Sequence, residues 1–382
     1  MSYKTQSKLP IIEGGTLQDT YVVFTPVTGG TTDTSALQSV ASLGTSGHVL
    51  TSTGDSSLPT FQAAPTGATT VVFPPTAGDP PSPSEGDVWF DTVANDFQGY
   101  GPMSDSWTAK NNMNTARRSL SGCGTATSAL SFGGRTASVL ATTEQWDGTN
   151  WTAKNSMNTA RRSMGGVGIT SDALSFGGFT TVRVGTVERF DGTNWTAKTG
   201  MNVTTQNLAG AGTAADALAF GGINTVAGAT TTSRYDGTGN TWTNKTGMNT
   251  GRYSLSGSGT ATDALSFGGA GPSAVTEQYE GVGNTWTAKG SMNTARSLLA
   301  GSGTTGLSLS FGGDSSGSKT TTEQYDGIGN AWTARASLNT AQADLAGSGS
   351  GTSALSFGGL AGTYSAITEE YAGTQTITFT VT

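Results

Sequence analysis

Few side chains in this sequence are of the kinds that bind metals or attack substrates. The 382 residues include one histidine, His48, and one cysteine, Cys123. Transition-metal centres are built from several imidazole or thiolate ligands, so the sequence predicts neither a metal centre nor another cofactor. Cys123 holds the place that Val167 and Ala211 hold in two related segments, which indicates a small packing residue. One alternative stays open: His48 could meet its copies on a threefold axis and bind a metal there.

Acidic residues suit acid-base catalysis, and three of them, Asp172, Asp216 and Asp263, recur at equivalent places in a repeated sequence. Glycoside hydrolysis of the common kind needs two carboxylates in one cleft. Because these acids recur once per repeat, we expect them to lie on separate structural units. A glycine pair also recurs, as in Gly166-Val167-Gly168, but it does not open a helix as a phosphate-binding loop does. We therefore predict that the protein is not an enzyme.

Basic residues recur in the motif Asn-Thr-Ala-Arg and its variants. The arginines are Arg117, Arg161, Arg252 and Arg296, and the other two copies have Thr205 and Gln342. Guanidinium groups on one face would suit an acidic sugar, whereas arginines between structural units bridge them through backbone carbonyls. We favour the second interpretation. The aspartate of each recurrent Asp-Gly is expected to form an Asx turn.

All of these residues belong to six copies of a segment of about 45 residues. The copies open with a tryptophan, at Trp107, Trp151, Trp195, Trp242, Trp286 and Trp332. Further along each copy stands the triplet Phe-Gly-Gly. Its first glycine is Gly133, Gly177, Gly221, Gly268, Gly312 or Gly358. Four short β-like segments per copy, bounded by turn residues, are the pattern of β-propeller blades. We expect the tryptophans to be core residues. The glycines after phenylalanine should let an aromatic ring lie on the backbone. The recurrent Gly-x-Gly should relieve crowding near the axis.

The number of blades depends on how the two ends of the array are used. Residues 69–74, the segments GDVWFDT and NDFQGYG, and residues 375–382 alternate like strands and could complete a further blade. The sequence thus favours an all-β propeller with seven blades. In the alternative, the Trp107 strand completes the last of six blades and both ends are peripheral.

Composition separates an amino-terminal region from the array. Prolines concentrate before residue 85, so we expect an attachment or oligomerisation region at 1–64, a proline-rich linker at 65–84 and the propeller at 85–382. The formal net charge of −7 argues against nucleic acid or an anionic membrane as a partner. No segment has the length of a transmembrane helix, so membrane insertion is not expected.

Two parts of the sequence resemble known families. GTSGHVLTSTGDSSLPTFQ is similar to a segment of bacteriophage tail-fibre proteins. The array, with Phe132-Gly133-Gly134, Trp146-Asp147-Gly148 and Trp151 in one copy, resembles the kelch propeller. Departures from the pattern are Glu280 and Ala372 in place of aspartate, and Ser233 in place of glutamate.

The resemblance implies a structural protein of a phage virion, in a tail fibre or appendage, that is assembled in the host cytoplasm. It implies a homotrimer joined through residues 1–64 and contacts with other virion tail proteins. A host surface glycan or protein would be the external partner.

The six segments that follow Phe-Gly-Gly share almost no sequence, unlike the rest of each repeat. Variable loops on a rigid framework suit ligand recognition. The segments are residues 135–143, 179–187, 223–232, 270–276, 314–322 and 360–368, with Arg135, Arg183, Asn224, Lys319 and Tyr364 as candidate ligand-binding residues. The first hypothesis is host glycan binding. The alternatives are a purely structural or decorating virion component and a glycan-processing enzyme.

Overall fold

The computed structural model describes residues 105–225 and 227–373 and, before residue 100, the backbone of seven strands. Contacts divide the chain into two units, Ser104–Gly373 and the residues outside that range. Every regular element described in either unit is a β-strand.

Ser104–Gly373 forms a β-propeller of six blades, each an antiparallel sheet of four strands. Strands are numbered one to four from the axis outward, because the first strands of successive blades contact one another around the ring. Blades 1 to 3 comprise Ser121–Gly124, Ala129–Phe132, Thr143–Trp146 and Trp151–Lys154; Gly165–Ile169, Asp172–Phe176, Val187–Phe190 and Trp195–Lys198; and Ala209–Gly212, Asp216–Phe220, Thr232–Asp236 and Thr241–Lys245. Blades 4 to 6 comprise Ser256–Gly259, Asp263–Phe267, Thr276–Glu280 and Thr285–Lys289; Ala300–Gly303, Leu307–Phe311, Thr322–Asp326 and Ala331–Arg335; and Ala346–Gly349, Ser353–Phe357, Thr368–Ala372 and Ser106–Lys110. Two further short strands, Leu360–Ala361 and Thr363–Tyr364, pair within blade 6.

The expectation of seven blades is wrong, and the six-blade alternative is correct. Ser106–Lys110 pairs with Thr368–Ala372, with Trp107 opposite Tyr371, so the outer edge of the last blade is already occupied. Val88–Asp91 and Asp96–Gly99, which were expected in an additional blade, belong to the other unit. Residues 69–74 and 375–382 lie outside the described residues.

Sequence patterns differ between strands because the strands lie at different depths. The second strand of blade 1, Ala129–Phe132, is buried at all four positions, as expected for a strand covered on both faces. The fourth strand of blade 2, Trp195–Lys198, buries its tryptophan and leaves Thr196 and Ala197 exposed. The core therefore lies between the blades.

The tryptophan and phenylalanine that recur at a constant spacing in every repeat pack each blade against the one before it. Trp195 of blade 2 lies 5.1 Å from the ring centre of Phe132 in blade 1 and 5.2 Å from that of Phe190 in its own blade. Its indole nitrogen donates a hydrogen bond of 3.0 Å to Thr143 Oγ1 of blade 1. All six tryptophans lie between two aromatic rings in this way and are 5–7 % exposed. Truncation of a buried tryptophan to alanine lowers the free energy of unfolding by about 3–5 kcal/mol in other proteins.

The recurrent glycines have two separate causes. A Cβ atom on Gly166 of blade 2 would lie 2.5 Å from Phe132 Cζ of blade 1, so the first glycine of Gly-x-Gly accepts the ring of the preceding blade. The expected crowding at the axis is thus crowding by a neighbouring phenylalanine. Gly133 has a φ of 63°, and its Cβ would lie 2.7 Å from the carbonyl oxygen of Arg161 in the next blade. The atoms closest to this glycine belong to Met164 and Arg161, not to an aromatic ring.

The seven strands described in the other unit form three small sheets. Thr5–Glu13 pairs with Thr16–Phe24, and His48–Thr51 pairs with Thr60–Ala63, both antiparallel. Pro75–Thr76, Val88–Asp91 and Asp96–Gly99 form a sheet of three strands. Thr5–Glu13 forms its strand although it contains Pro10 and two charged residues, Lys8 and Glu13.

Candidate ligand-binding face

The variable segments lie at one end of the strands, on one face of the propeller. Each follows strand two of its blade, and in blade 1 the last residue of that strand, Phe132, is opposite Ser121, the first residue of strand one. We call the six connections between strands two and three the face loops, and the six connections that lead into strand one the blade connections. They are residues 133–142, 177–186, 221–231, 268–275, 312–321 and 358–367, and residues 111–120, 155–164, 199–208, 246–255, 290–299 and 336–345. Both sets therefore meet on the same face.

The face loops end one residue earlier than the sequence indicated. The last residue of each expected range is the first residue of strand three and is buried. These residues are Thr143, Val187, Thr232, Thr276, Thr322 and Thr368. The hydroxyls of Thr143, Thr232 and Thr276 accept hydrogen bonds from tryptophans of adjacent blades, so these threonines belong to the framework.

A closed ring of backbone hydrogen bonds surrounds the axis on this face. The amide of Ser163 donates to the carbonyl of Ser119 at 2.8 Å, and the amide of Ser119 donates to the carbonyl of Asp344 at 3.0 Å. The same bond links every neighbouring pair of blades. The six residues are Ser119, Ser163, Asn207, Ser254, Leu298 and Asp344, all with φ between 53° and 57°. They line one end of a central cavity of about 150 Å³.

The residue before each ring member pairs with the third residue of the face loop of the same blade, the one after the two glycines. Arg118 and Arg135 exchange two backbone hydrogen bonds, of 3.1 and 2.8 Å, in blade 1. Arg162 and Phe179 do the same in blade 2. The pairs in blades 3 to 6 are Gln206 with Ile223, Tyr253 with Ala270, Ser297 with Asp314, and Ala343 with Leu360. A uniform backbone thus presents side chains that differ from blade to blade.

The arginines of the repeated motif are framework residues. Arg117, Arg161 and Arg296 are 0 % exposed and Arg252 is 3 % exposed, so they do not line a face. They pair with Glu144, Glu188, Glu323 and Glu277, respectively. Burial lowers the pKa of Arg161 to about 10, while the Glu188 carboxylate acts to raise it. The guanidinium stays charged at neutral pH.

The link between blades expected of these arginines comes from their backbone. The carbonyl of Arg161 accepts a 3.0 Å hydrogen bond from the amide of Gly134 in the preceding blade. Thr205 and Gln342, in the arginine position of two other copies, accept the same bond at 2.8 Å from Gly178 and Gly313. The link therefore does not depend on the side chain, and the guanidinium anchors the connection to its own blade.

Blade 3 has lost both members of the buried ion pair. Thr205 takes the place of the arginine and Ser233 that of the glutamate, and both are 2 % exposed. Either change alone would leave a buried charge without its partner. Both departures are visible in the sequence, but blade 6 replaces only the arginine, with Gln342, and keeps Glu369 buried. The ion pairs of the other blades are what show that the two positions are in contact.

The five candidate ligand-binding residues all lie in face loops, but they do not form one cluster. Arg135 pairs with Arg118, and Tyr364, which is 36 % exposed, lies 6.0 Å from the Arg118 guanidinium carbon. Arg183 pairs with Phe179 across the hairpin of blade 2. Asn224 donates to Thr231 Oγ1 at 3.2 Å, and Lys319 pairs through its backbone with Gln342. Only Arg135 and Tyr364 are brought together, on either side of Arg118.

Arg118, Arg162 and Asp344 belong to the same cluster and were not predicted. Asp344 Oδ2 lies 2.5 Å from the Ser119 hydroxyl, which donates to it, and 3.9 Å from Arg118 Nε. Burial raises the pKa of Asp344, and Ser119, Arg118, Arg162 and Arg135 act to lower it. Burial lowers the pKa of Arg162, with repulsion from Arg135 and Arg118 adding to the effect and Asp344 opposing it. The sequence signal is the double arginine, which occurs only at 117–118 and 161–162.

The opposite face is built from regular turns. Asp147 Oδ1 accepts hydrogen bonds from the amides of Thr149 and Asn150 at 2.8 and 2.7 Å, which confirms the predicted Asx turn. These bonds lower the pKa of Asp147. The recurrent acids bind to cations or amides rather than to one another, since Asp172 pairs with Arg189 at 2.7 Å and Asp263 accepts from Gln278 at 2.7 Å.

Metal-binding and reactive groups are sparse in the described part of the chain. Residues 105–225 and 227–373 contain no group of three or more histidine, cysteine, aspartate or glutamate residues placed to hold a metal ion. Burial raises the pKa of the Cys123 thiol to about 12, so the thiolate nucleophile is scarce at neutral pH. None of the described residues forms a helix long and apolar enough to cross a membrane.

Comparison with protein-family models and with curated proteins finds no match to this chain.

Proposed function

We propose that this protein is a structural component of a bacteriophage virion whose kelch-type propeller binds a glycan on the host surface. The kelch assignment rests on the repeated Phe-Gly-Gly, aromatic-Asp-Gly and tryptophan, and the phage assignment rests on the sequence between Gly44 and Gln62. The protein would reside in a tail fibre or appendage, after assembly in the host cytoplasm.

The observation that carries the proposal is the contrast between framework and face. Six blades repeat the same tryptophan packing, the same glycine contacts and the same ring of hydrogen bonds. On that framework, the paired positions beside the axis range from two arginines in blade 1 to serine and aspartate in blade 5. Side chains held by a rigid scaffold but free to differ are typical of recognition surfaces.

The proposal includes no catalytic step. Asp172 and Asp216, the acids that could suggest glycan hydrolysis, each form a bidentate pair with an arginine of the same blade. They lie on separate blades and are engaged with cations, which does not suit a pair of cooperating carboxylates. Binding and release at the face loops would be the whole activity.

Trimerisation through residues 1–64 is part of the proposal. Two antiparallel hairpins are described there, Thr5–Glu13 with Thr16–Phe24 and His48–Thr51 with Thr60–Ala63. An isolated hairpin of two strands is marginally stable in water, and its outer edges keep unpaired backbone groups. Pairing with equivalent strands of other copies would satisfy those edges and would bring three propellers together for avid attachment.

The test is the binding of labelled full-length protein to a panel of bacterial cells. In one variant, residues 136–139, 180–183, 314–317 and 361–364 are replaced by Gly-Ser sequences. The control variant carries Val282→Ser and Ile328→Ser, two residues that are 99 % exposed on the opposite face. We expect the loop variant to lose binding to the cells that the unmodified protein binds, and the control to keep it. Full binding by the loop variant would contradict recognition through this face and favour the purely structural alternative.

A further inference from the structure

We propose that Arg118, Arg135 and Arg162, which we call the axial arginine cluster, bind an anionic group of a surface glycan, a carboxylate or a phosphate, at the mouth of the central cavity. This inference rests on the proposed function and specifies the chemistry of the ligand and the part of the face that holds it. The other face loops would contact the rest of the saccharide.

The backbone forces two of these like charges together. Arg118 and Arg135 exchange both hydrogen bonds of a bridge pair, so their Cβ atoms lie about 5 Å apart on one side of the sheet. Like charges directly opposite each other destabilise a sheet. Arg162 follows one blade later, at the position equivalent to that of Arg118. A surface that keeps such an arrangement without a counterion pays in stability, which an anionic ligand would offset.

The acidic groups of the described residues do not neutralise the cluster. Asp344 is the one carboxylate that acts on Arg162, and its nearest approach to Arg118 is 3.9 Å, beyond hydrogen-bond distance. Asp344 instead accepts the hydroxyl of Ser119. One carboxylate against three guanidinium groups cannot balance their charge. At least two positive charges remain in excess in a protein with a net charge of −7.

Hydrogen-bonding groups of the cluster are also left over. Arg118 Nε is buried and has no hydrogen-bond partner among the described residues. Arg162 approaches only the Ser163 hydroxyl, at 3.5 Å, and packs its guanidinium over the Phe179 ring at 4.6 Å. The fork of donors on a guanidinium matches the oxygens of a carboxylate or phosphate. Stacking on Phe179 holds the Arg162 fork in place.

A cavity on the propeller axis adjoins the cluster. Its volume of about 150 Å³ is large enough for several water molecules or a small anionic group. Ser119, Ser163 and Asp344 line this cavity. Ser119 and Ser163 directly follow Arg118 and Arg162 in the chain, and Asp344 lies 3.9 Å from Arg118. We expect an anionic substituent held by the cluster to reach into this space, with the rest of the saccharide over the face loops, where Tyr364 lies 6.0 Å from the Arg118 guanidinium carbon.

The test uses full-length protein and three monosaccharides in saturation-transfer NMR. Glucuronate carries a carboxylate, glucose 6-phosphate carries a phosphate, and glucose is the neutral match. We expect at least one anion to bind at least tenfold more tightly than glucose, and this difference to shrink as salt is raised because exposed charges are screened. The anion that binds identifies the source of the charge. Equal binding of all three sugars, or binding of none, would overturn the proposal.

Variants assign the binding to the cluster. Arg118→Gln combined with Arg162→Gln is expected to weaken binding of the preferred anion at least tenfold, and Arg135→Gln alone to weaken it less. Arg189→Gln is the control, because it removes the same charge from the opposite face, where Arg189 pairs with Asp172. Melting curves of each variant show whether it is folded. Unchanged anion binding in both the double variant and Arg135→Gln would overturn the assignment.

The two proposals fail in different ways. If the loop-replaced protein loses cell binding while the Arg118→Gln and Arg162→Gln variant keeps it, host recognition stands and the anion site is refuted. If anion binding requires the cluster but no bacterial cell is bound, the site stands as an anion site and its biological role is refuted.

Discussion

Two adjacent arginines of one connection have opposite roles. Arg117 is buried against Glu144 and Ser131, whereas Arg118 is 30 % exposed beside the axis. Alternate residues of an extended segment point to opposite sides, so the first fixes the connection to its blade and the second faces solvent. Whether a side chain in a blade connection is buried or faces solvent therefore depends on which of the two alternating sides it occupies. We therefore expect substitution of Arg117 to lower the stability of the fold, and substitution of Arg118 to weaken ligand binding.

The buried pair of blade 4 tests the compensation seen in blade 3. Arg252→Thr alone leaves Glu277 buried without its guanidinium, and we expect a loss of about 3 kcal/mol in the free energy of unfolding. Adding Glu277→Ser reproduces the Thr205 and Ser233 combination and should restore most of the loss. Urea unfolding of both single variants and the double variant measures the coupling. Additive losses in the double variant would show that the two side chains act independently.

Asp344 gives the propeller a stability that depends on pH. Because burial raises its pKa in the folded state, the folded protein binds a proton more tightly than the unfolded chain does. The associated stability is present below the ordinary pKa of aspartate and is lost as pH rises through the raised value. Asp344→Asn has no such proton, so we expect its melting temperature to exceed that of the unmodified protein by an amount that grows with pH. A constant difference from pH 3 to pH 8 would contradict this.

At the level of strands, ring closure depends on the first strand of the propeller unit, which is the outermost strand of the last blade. Ser106–Lys110 completes blade 6, and Trp107 fills the space between Phe311 and Tyr371. Asp105 also accepts the Tyr371 hydroxyl at 2.9 Å, the role that Asn330 has in blade 5. This strand thus joins the two ends of the array both within the sheet and across the blade interface.

Two shortened chains isolate the effect of this strand. A chain of residues 104–373 keeps it, and we expect a single cooperative melt that a chelator does not change. A chain of residues 112–373 lacks it, which exposes the edge of Thr368–Ala372 and removes the Trp107 contacts. We expect that chain to melt at a markedly lower temperature or to aggregate, since unpaired edges associate. Similar melting of both chains, followed by circular dichroism, would show that closure contributes little.

The repeated strands were predictable because their periodicity of about 45 residues and their aromatic residues follow from packing that every blade shares. The number of blades was not, because alternating segments such as GDVWFDT meet the requirements of a strand in either sheet, and only the pairing of Trp107 with Tyr371 decides which edge is free. Only part of the candidate site could be recognised from the sequence. Arg135 and Tyr364 stand in variable loops, whereas Arg118 and Arg162 were hidden next to framework arginines of the same type.

At the level of the whole molecule, the proposed activity depends on several propellers held together. A single anion pocket beside shallow loops would bind weakly, and tethered copies raise the effective concentration of sites without new contacts. In the proposed assembly, the amino-terminal hairpins join the copies. Attachment strength and oligomeric state should therefore change together.

Removal of residues 1–64 tests that link. We expect full-length protein to sediment as a trimer in analytical ultracentrifugation, and the shortened chain to sediment as a monomer with an unchanged propeller melt. Anion binding measured per propeller should stay the same, while retention on cells should fall by about 100-fold or more. A full-length monomer at micromolar concentration, with the shortened chain retained equally on cells, would contradict the trimer.

The pairing of Ser106 with Ala372 places the two ends of the propeller side by side, on the two outer strands of blade 6. A domain that begins and ends at the same point can be inserted into another polypeptide, or excised from it, without strain on either part. It can also be permuted: a chain joined from Gly373 to Asp105 by a short linker and opened in the turn at Gly148 should form the same wheel. The same property lets a whole propeller domain be transferred between unrelated proteins in evolution, together with its axial cavity and the surrounding loops.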